Sequence, residues 1–408
     1  MHPYFTRERF GPSQFLAGFL LLVFLAQAVW LVRSELHHEE GVQAEEVIRI
    51  SEGLRQWHGA GIAGAPLPES VPSDEFHSVS GGYDRQHSPL LYLASAAPLL
   101  IVPHRLLSDN SVFWQWLVRL PFLACGVFLG ASLWYVARRL CGNAGGLVAL
   151  TLYSFSPSLL QASAVWHTEP EIFAAWSAFG SVFTSIAVAH TLYAPREVVL
   201  WNWRRILLLG VSLAIAIGSQ FSMIVLVPVS LGFLLYVAPV RKKAGVAIWA
   251  AACLVASILL FAFYFFHPHA FAASMSRAEF WGATWRGFAV SGVYKEVAAQ
   301  IARGCPAFVL ALPFALASYA VWPRARYFGN TAPLLVAMLC LVLAMAHPDL
   351  AGSGFLLAAI PFLLVFVAGI LADVMETRYR ALTSAAVLGM MLAYIGWNLL
   401  SLLRVTSR

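Results

Sequence analysis

Long apolar segments separated by short polar connections follow one another along most of the chain. The first, from Phe15 to Val32, carries no charged residue and is about 18 residues long, enough for a helix to cross a bilayer. The pattern predicts an all-α, polytopic transmembrane helical bundle. Further spans are predicted near residues 112–137, 143–160, 170–190, 205–219, 221–238, 245–266, 304–322, 331–346, 354–372 and 381–403.

The segment from Pro89 to Pro103 is apolar but contains three prolines and falls short of a span. A transmembrane helix needs about 17–25 residues, whereas this segment has only about 15. If it did cross the membrane, every later loop would change sides. If it does not, the basic clusters of the short loops gather on one side, as the positive-inside rule expects. We therefore predict an interfacial or re-entrant helix on the outer face, about eleven spans and an inner amino terminus.

Composition agrees with this class, because 60% of the 408 residues are hydrophobic and only 11% are charged. Soluble proteins average roughly half and a quarter. Continuous apolar runs favour helices over the alternating strands of a membrane barrel. The net charge of +6 is no nucleic-acid signal here, and the five cysteines form neither a CxxC motif nor a disulfide pattern.

One integral membrane domain, residues 1–408, is predicted, with two sizeable outer loops. The first loop, 34–111, contains an amphipathic stretch at 39–57 and the short helix at 89–103, both juxtamembrane. The second loop spans residues 267–303. No separate soluble domain is indicated.

Glu39 and Glu40 stand directly after the first span, at its predicted outer mouth. Carboxylates at that position can act as a general base or hold a cation. A solvated acidic face is the alternative explanation. No HExxH or similar spacing is present, so the metal is undetermined and a divalent cation is one option.

Three further groups lie at predicted outer positions. Glu169 and Glu171 open the fourth span, where they either cap a helix or belong to a site. Arg119 lies at the lip of the second span and is a candidate for binding phosphate. The loop 267–303 interleaves basic and aromatic side chains, which suits a lipid-phosphate clamp or an ordinary aromatic belt. Its candidate cations are Arg277, Arg286 and Lys295.

The order of these features resembles the GT-C superfamily of membrane glycosyltransferases. The nearest likeness is to protein mannosyltransferases and lipid A aminoarabinose transferases of the glycosyltransferase family 39 type. The matching segments are Glu39-Glu40, the run His87–Tyr92, Arg119-Leu120-Pro121, the run Tyr135–Leu140, and Thr168-Glu169-Pro170. The chain departs from the family at Gln220, where relatives often have lysine, and at His347, near where they often place Arg-Tyr.

The resemblance implies transfer of a hexosyl or pentosyl group, with inversion, from a polyprenyl-phosphate donor to a glycan, lipid or protein acceptor. The expected location is the periplasmic face of a bacterial inner membrane, among membrane lipids and without nucleic acid. Glu39 is then the base, Glu40 supports it or binds metal, and Glu169 orients a substrate. The substrate-binding residues implied in this way are His87, Arg119, Glu171, Arg277, Arg286, Lys295 and His347.

Three alternatives stay open at this point: a polymerase or ligase for lipid-linked glycans, a noncatalytic homologue, and a secondary transporter. A transporter is expected to place its polar groups near the bilayer midplane. This sequence concentrates them at one mouth instead.

Overall fold

The computed structural model describes residues 11–35, 87–101, 111–164, 171–193, 203–280, 284–346 and 354–406. Within these ranges every regular element is a helix, which confirms the all-α prediction. The α-helices are, in chain order, α1 (Pro12–Glu35), α2 (Leu90–Ile101), α3 (Ser111–Ser154), α4 (Pro157–Ala164), α5 (Glu171–Thr191), α6 (Trp203–Ser219), α7 (Leu226–Val237), α8 (Lys242–Phe263), α9 (Pro268–Arg277), α10 (Ser291–Gly304), α11 (Phe308–Val321), α12 (Phe328–Ala346), α13 (Phe355–Met375) and α14 (Arg380–Thr406). Short 3-10 helices occupy Phe221–Val225, Pro239–Arg241, Trp285–Ala289 and Pro323–Ala325.

Seven helical segments in the described ranges are long and apolar enough to cross a membrane. An eighth is added if α10 and α11, which meet at a bend of 109°, are counted as one span. The polytopic class is therefore confirmed, whereas the number of about eleven spans stays a prediction. The difference arises because α6 and α7 have only 17 and 12 residues. The count of seven also takes the two limbs of α3 together as one segment, Trp116–Ser154.

Helix α13 forms the centre of the bundle. Its side chains are buried on every side from Leu357 to Leu371, and it packs against α3, α5, α11, α12 and α14. A helix that is apolar all round is stable only inside a larger assembly of helices, since it has no face suited to water.

A sharp break at Cys141 and Gly142 divides α3 into two limbs that fold back on each other. Gly142 has φ 75° and ψ −178°, a backbone conformation that essentially only glycine adopts at low cost. A Cβ at Gly146 would lie 2.9 Å from the Cβ of Arg138, so the limbs approach closely beside the break. The two spans predicted at 112–137 and 143–160 lie on either side of this break.

The bundle has a basic end, where polar contacts join the break in α3 to the connections of α12 and α13. Asn330 donates a hydrogen bond of 2.9 Å to the Asp373 carboxylate, linking the start of α12 to the end of α13. Burial raises the pKa of the Tyr327 phenol, which stays protonated and points toward the Cys141 Sγ at 3.9 Å. Basic side chains at this end are Arg138, Arg139, Arg204, Arg205, Arg241, Lys242, Lys243, Arg324, Arg326, Arg378 and Arg380.

The predicted outer loop 267–303 contains two helices, α9 and α10, that the apolar pattern does not reveal. Helix α10 is amphipathic: Val297 and Ile301 are buried, while Glu296 and Arg303 are exposed and form an ion pair of 2.6 Å. Such a narrow apolar stripe is too weak to mark a span. The 12-residue α2 lies within the short helix predicted at 89–103. The stretch 39–57 lies outside the described residues.

Candidate functional site

Five polar residues lie at the end of the bundle opposite the basic end: His87, Ser88, Arg119, Glu171 and Gln220. We call them the polar end cluster. Exposure is 2% for His87, 0% for Ser88, 1% for Arg119 and 3% for Gln220, and Glu171 is partly buried. Burying polar groups in an apolar bundle costs free energy unless they bind one another or a ligand. The position of each residue follows from contacts between the helices that carry it.

Helices α3 and α5 run parallel along the first limb of α3. The rings of Phe122 and Phe173 meet edge to face with centroids 5.2 Å apart, and Phe128 stacks on Trp176 at 5.6 Å. From the first contact to the second, residue numbers rise on both helices, so the two helices run in the same direction. The amino-terminal ends of α3 and α5 therefore lie at the same end of the bundle.

Arg119 and Glu171 sit at those ends. Arg119 comes one turn before Phe122, and Glu171 comes two residues before Phe173 in the first turn of α5. At about 1.5 Å per residue both lie about 3–5 Å beyond the Phe122–Phe173 contact. A cation and a carboxylate predicted from separate segments are thus placed at the same level.

Helix α6 runs antiparallel to α5. A Cβ at Gly180 would lie 3.1 Å from the Ser212 hydroxyl, and nearer the basic end Arg205 donates a hydrogen bond of 3.2 Å to the Ala187 carbonyl. This direction carries the end of α6, at Ser219, to the level of the start of α5. Gln220 is the next residue and lies at the same depth in the bundle as Glu171.

His87 and Ser88 reach the same place through the start of α2. The Ser88 amide and hydroxyl both donate to the Gly218 carbonyl, at 3.0 and 2.6 Å, and the hydroxyl accepts from the Leu90 amide at 3.2 Å. A Cβ at Gly218 would lie 3.0 Å from the Leu90 side chain and 3.2 Å from the Ser88 hydroxyl. The close approach that glycine permits fixes His87 over the end of α6.

Gln220 also meets the start of the central helix. Gly354 precedes α13 with φ 63°, and a Cβ there would overlap the amide group of the Gln220 side chain. Sequence reasoning did not assign Ser88, Gln220 or Gly354 to the site. The usable signal was the polar pair Ser219-Gln220, which interrupts an otherwise apolar stretch.

The polar end cluster suits recognition of an anion. His87, Arg119, Glu171 and Gln220 each make at least one interaction in the structure. A buried guanidinium offers up to five donors in a planar fork that matches phosphate oxygens. In surroundings of low dielectric constant its attraction for a phosphate is far stronger than in water.

Two further predicted site residues, Arg277 and Lys295, are described but are not among the five residues of the cluster. Arg277 is exposed at the end of α9, and the Phe280 ring just beyond it contacts Phe221 at 5.4 Å, next to Gln220. Lys295 is exposed on α10, whose main packing partners are α4, α11, α12 and α13.

The other predicted site residues lie wholly or in part outside the described residues. Arg286 belongs to the 3-10 helix Trp285–Ala289, but its side chain lies outside the described residues, as do Glu39, Glu40, Glu169 and His347 entirely. Within the described ranges, no group of three or more His, Cys, Asp or Glu side chains could hold a metal ion.

Part of the sequence matches a known protein family. Residues 105–266 match the family described as dolichyl-phosphate-mannose-protein mannosyltransferase, a stretch that includes Arg119, Glu169 and Glu171 and begins after Glu39 and Glu40. No protein of curated function matches the sequence. The resemblance to the GT-C superfamily is confirmed over this stretch.

The fold is similar to that of archaeal oligosaccharyltransferase. The structure of AglB from Archaeoglobus fulgidus in complex with an inhibitory peptide and a dolichol-phosphate superimposes with a TM-score of 0.57 and 14% identity, over 95% of this chain and 56% of that chain. A second oligosaccharyltransferase structure from Archaeoglobus fulgidus, a complex with Zn and sulfate, gives 0.48 and 11%, over 76% and 44%. The chain therefore spans about half the length of these solved structures.

Proposed function

We propose that the chain is a membrane glycosyltransferase that moves a sugar from a polyprenyl-phosphate donor to an acceptor at the polar end cluster. The observation that carries the proposal is Arg119, a guanidinium only 1% exposed at the end of an apolar bundle. The family match supports it, as does the fold shared with a protein whose solved complex contains a dolichol-phosphate. A donor with a long isoprenoid tail also explains why the site sits at the edge of a membrane domain.

The proposed reaction is a single displacement at the anomeric carbon. The acceptor oxygen bonds to that carbon while the bond from carbon to phosphate oxygen breaks, which inverts the configuration. The acceptor proton passes to a carboxylate, assigned to Glu39, and Glu40 and Glu169 orient the base and a substrate. The leaving group departs as polyprenyl phosphate and gains negative charge, which Arg119 stabilises at the moment it develops.

The other assigned residues bind substrate around this centre. His87 and Glu171 lie in the polar end cluster and can donate to or accept from sugar hydroxyls. Arg277, Arg286, Lys295 and His347 are assigned to the outer surface, where cations attract the donor phosphate and guide it inward. The acceptor is a glycan, lipid or protein, and the site faces the periplasm of a bacterial inner membrane.

Replacing the first-loop carboxylates tests the proposal. In Glu39→Gln/Glu40→Gln, transfer from a panel of polyprenyl-phosphate hexoses and pentoses to membrane acceptors should fall to background. The measurement is release of polyprenyl phosphate by the purified protein in liposomes. The control Glu45→Gln/Glu46→Gln removes two carboxylates a few residues further along the same loop and should keep its rate. Full activity in the first variant would remove Glu39 and Glu40 from the mechanism.

A further inference from the structure

Five basic side chains crowd the starts of two neighbouring helices at the end of the bundle away from the proposed active site. They are Arg204 and Arg205 on α6, Arg241 just before α8, and Lys242 and Lys243 at its first residues, and all are exposed. We call them the basic patch. The proposed transfer reaction makes no use of them.

Packing of α6 on α8 makes the two helices that carry the five cations neighbours. Gly210 lies so close to α8 that a Cβ there would be 2.8 Å from both the Ala252 carbonyl and the Val255 side chain. Both helices begin at the basic end. At about 1.5 Å per residue, Arg204 and Lys243 then differ in depth along the helix axes by about 5–9 Å. The two short runs thus lie at the starts of neighbouring helices, at the same end of the bundle.

The charge of the basic patch is not neutralised within the described part of the chain. Within the described residues, ion pairs join Arg303 to Glu296 and Arg324 to Glu376, and neither pair includes a residue of the basic patch. Arg205 donates to a main-chain carbonyl, and the Arg204 guanidinium lies 5.8 Å from the ring centroid of the neighbouring Trp203. Neither contact removes positive charge, so the patch attracts anions.

An apolar strip that faces lipid begins directly at the basic patch. Val246, Leu254 and Ile258, spaced by multiples of four residues along one face of α8, are 43%, 62% and 51% exposed. On α6, Leu208 is 55% exposed one turn after Arg204. Only 17% of the apolar stretch within Pro239–Phe263, the segment that contains α8, is buried inside the protein. Acyl chains can therefore lie along the strip while their headgroup reaches the cations.

From this juxtaposition we propose that the basic patch binds the headgroup of an anionic phospholipid, such as phosphatidylglycerol or cardiolipin. Each Lys or Arg near an anionic membrane surface contributes substantially to such binding, and clustered cations between helices are the arrangement that holds these headgroups. The apolar strip favours a lipid over a free phosphate ion, because a phosphate ion has no acyl chains to lie along it. This site is separate from the proposed transfer reaction and does not depend on it.

Native mass spectrometry of the purified full chain with added lipid tests the proposal. Phosphatidylglycerol should bind at least tenfold more tightly than phosphatidylcholine, and Lys242→Gln/Lys243→Gln should weaken it by roughly tenfold. Lys242→Arg/Lys243→Arg should retain binding. The matched control Arg378→Gln/Arg380→Gln removes two exposed cations from the same end and should leave binding unchanged.

Three results would overturn the proposal. One is equal affinity of the wild type for the two lipids, and another is equal loss of phosphatidylglycerol in the patch variant and the control variant. The third is complete competition by millimolar inorganic phosphate, which would indicate a site for free anions. If the Gln variant does not fold, the salt dependence of the wild type decides, since raising the salt concentration must weaken a surface charge interaction.

Discussion

Gly354 is a residue at which backbone conformation and packing make the same demand. Its φ of 63° lies in the left-handed region, and the space where a Cβ would project is filled by Gln220. Any other residue therefore meets both backbone strain and a steric clash. The close contact between the end of α6 and the start of α13 depends on this glycine.

Gly354→Ala should destabilise the folded protein by about 1–3 kcal/mol. Thermal unfolding in detergent measures the effect as a lower midpoint. Gly389→Ala on α14, where a Cβ meets nothing within 4 Å, is the control and should be neutral or slightly stabilising. Adding Gln220→Ala to Gly354→Ala should recover part of the loss, because it removes the clash but not the strain. Equal midpoints for the two glycine variants would contradict this account.

Arg119→Gln should lower the transfer rate by about a hundredfold, the usual effect of losing one donor to charge that develops in a transition state. The measurement is the turnover rate at saturating donor, with the unfolding midpoint as a check on folding. Arg119→Lys keeps the charge and should retain more activity, although without the planar fork. Arg139→Gln, an exposed arginine on the same helix, should be silent. A silent Arg119→Gln would separate this residue from the chemistry.

At the scale of elements, the break between α3 and α4 is held by hydrogen bonds to distant helices. The chain leaves α3 at Ser154 and starts α4 at Pro157, a residue suited to the first turn because it lacks an amide hydrogen. The Ser156 hydroxyl donates to the Gly304 carbonyl at 2.7 Å. The sequence predicted one continuous span here, since all of these residues are small or apolar.

Tyr394 on α14 satisfies carbonyls exposed by that break. Its hydroxyl is 2.9 Å from the Phe155 carbonyl and 3.2 Å from the Leu152 carbonyl, in buried surroundings. Tyr394→Phe should therefore destabilise the protein by about 1–3 kcal/mol, the cost of leaving a buried group unsatisfied. Tyr379→Phe, at a position 69% exposed, is the control and should change the unfolding midpoint little. Indistinguishable midpoints would show that water satisfies these carbonyls.

At the scale of the whole molecule, polar groups are concentrated at the two ends of the bundle, and the direction of each helix determines which end its terminal residues occupy. The basic side chains of the short connections lie at one end, and the polar end cluster lies at the other. This separation agrees with the pattern expected from loop charges. The orientation of the ends relative to the membrane is a prediction that labelling can test.

Cysteines introduced by Ser73→Cys and Arg378→Cys should report opposite sides of the membrane. A maleimide that cannot cross the membrane should label the first in intact spheroplasts and the second only after lysis. Background should be low, because Cys125, Cys305 and Cys340 are buried and Cys141 and Cys253 are partly so. Labelling of position 73 only after lysis would reverse the topology and place the first loop in the cytoplasm.

The sequence by itself determined the helical membrane class and the approximate position of most helices. Long apolar runs admit no other structure in lipid, where the backbone must satisfy its own hydrogen bonds. It also marked Arg119 and Glu171 as candidates, because polar groups beside apolar runs are costly to keep. His87 became a candidate only through the resemblance to the GT-C superfamily. The sequence did not predict the helices α9 and α10, since the sequences of short amphipathic helices resemble those of ordinary polar loops.

Only the tertiary structure decided which of these residues lie together. Arg119 and Glu171 lie at the same depth because α3 and α5 pack parallel to each other. Gln220 reaches that depth because α6 runs antiparallel to α5. Ser88, Gln220 and Gly354 entered the site through contacts between segments more than a hundred residues apart in sequence. Such contacts arise from the fit of helix surfaces in three dimensions, which the pattern of hydrophobic residues along one chain does not encode.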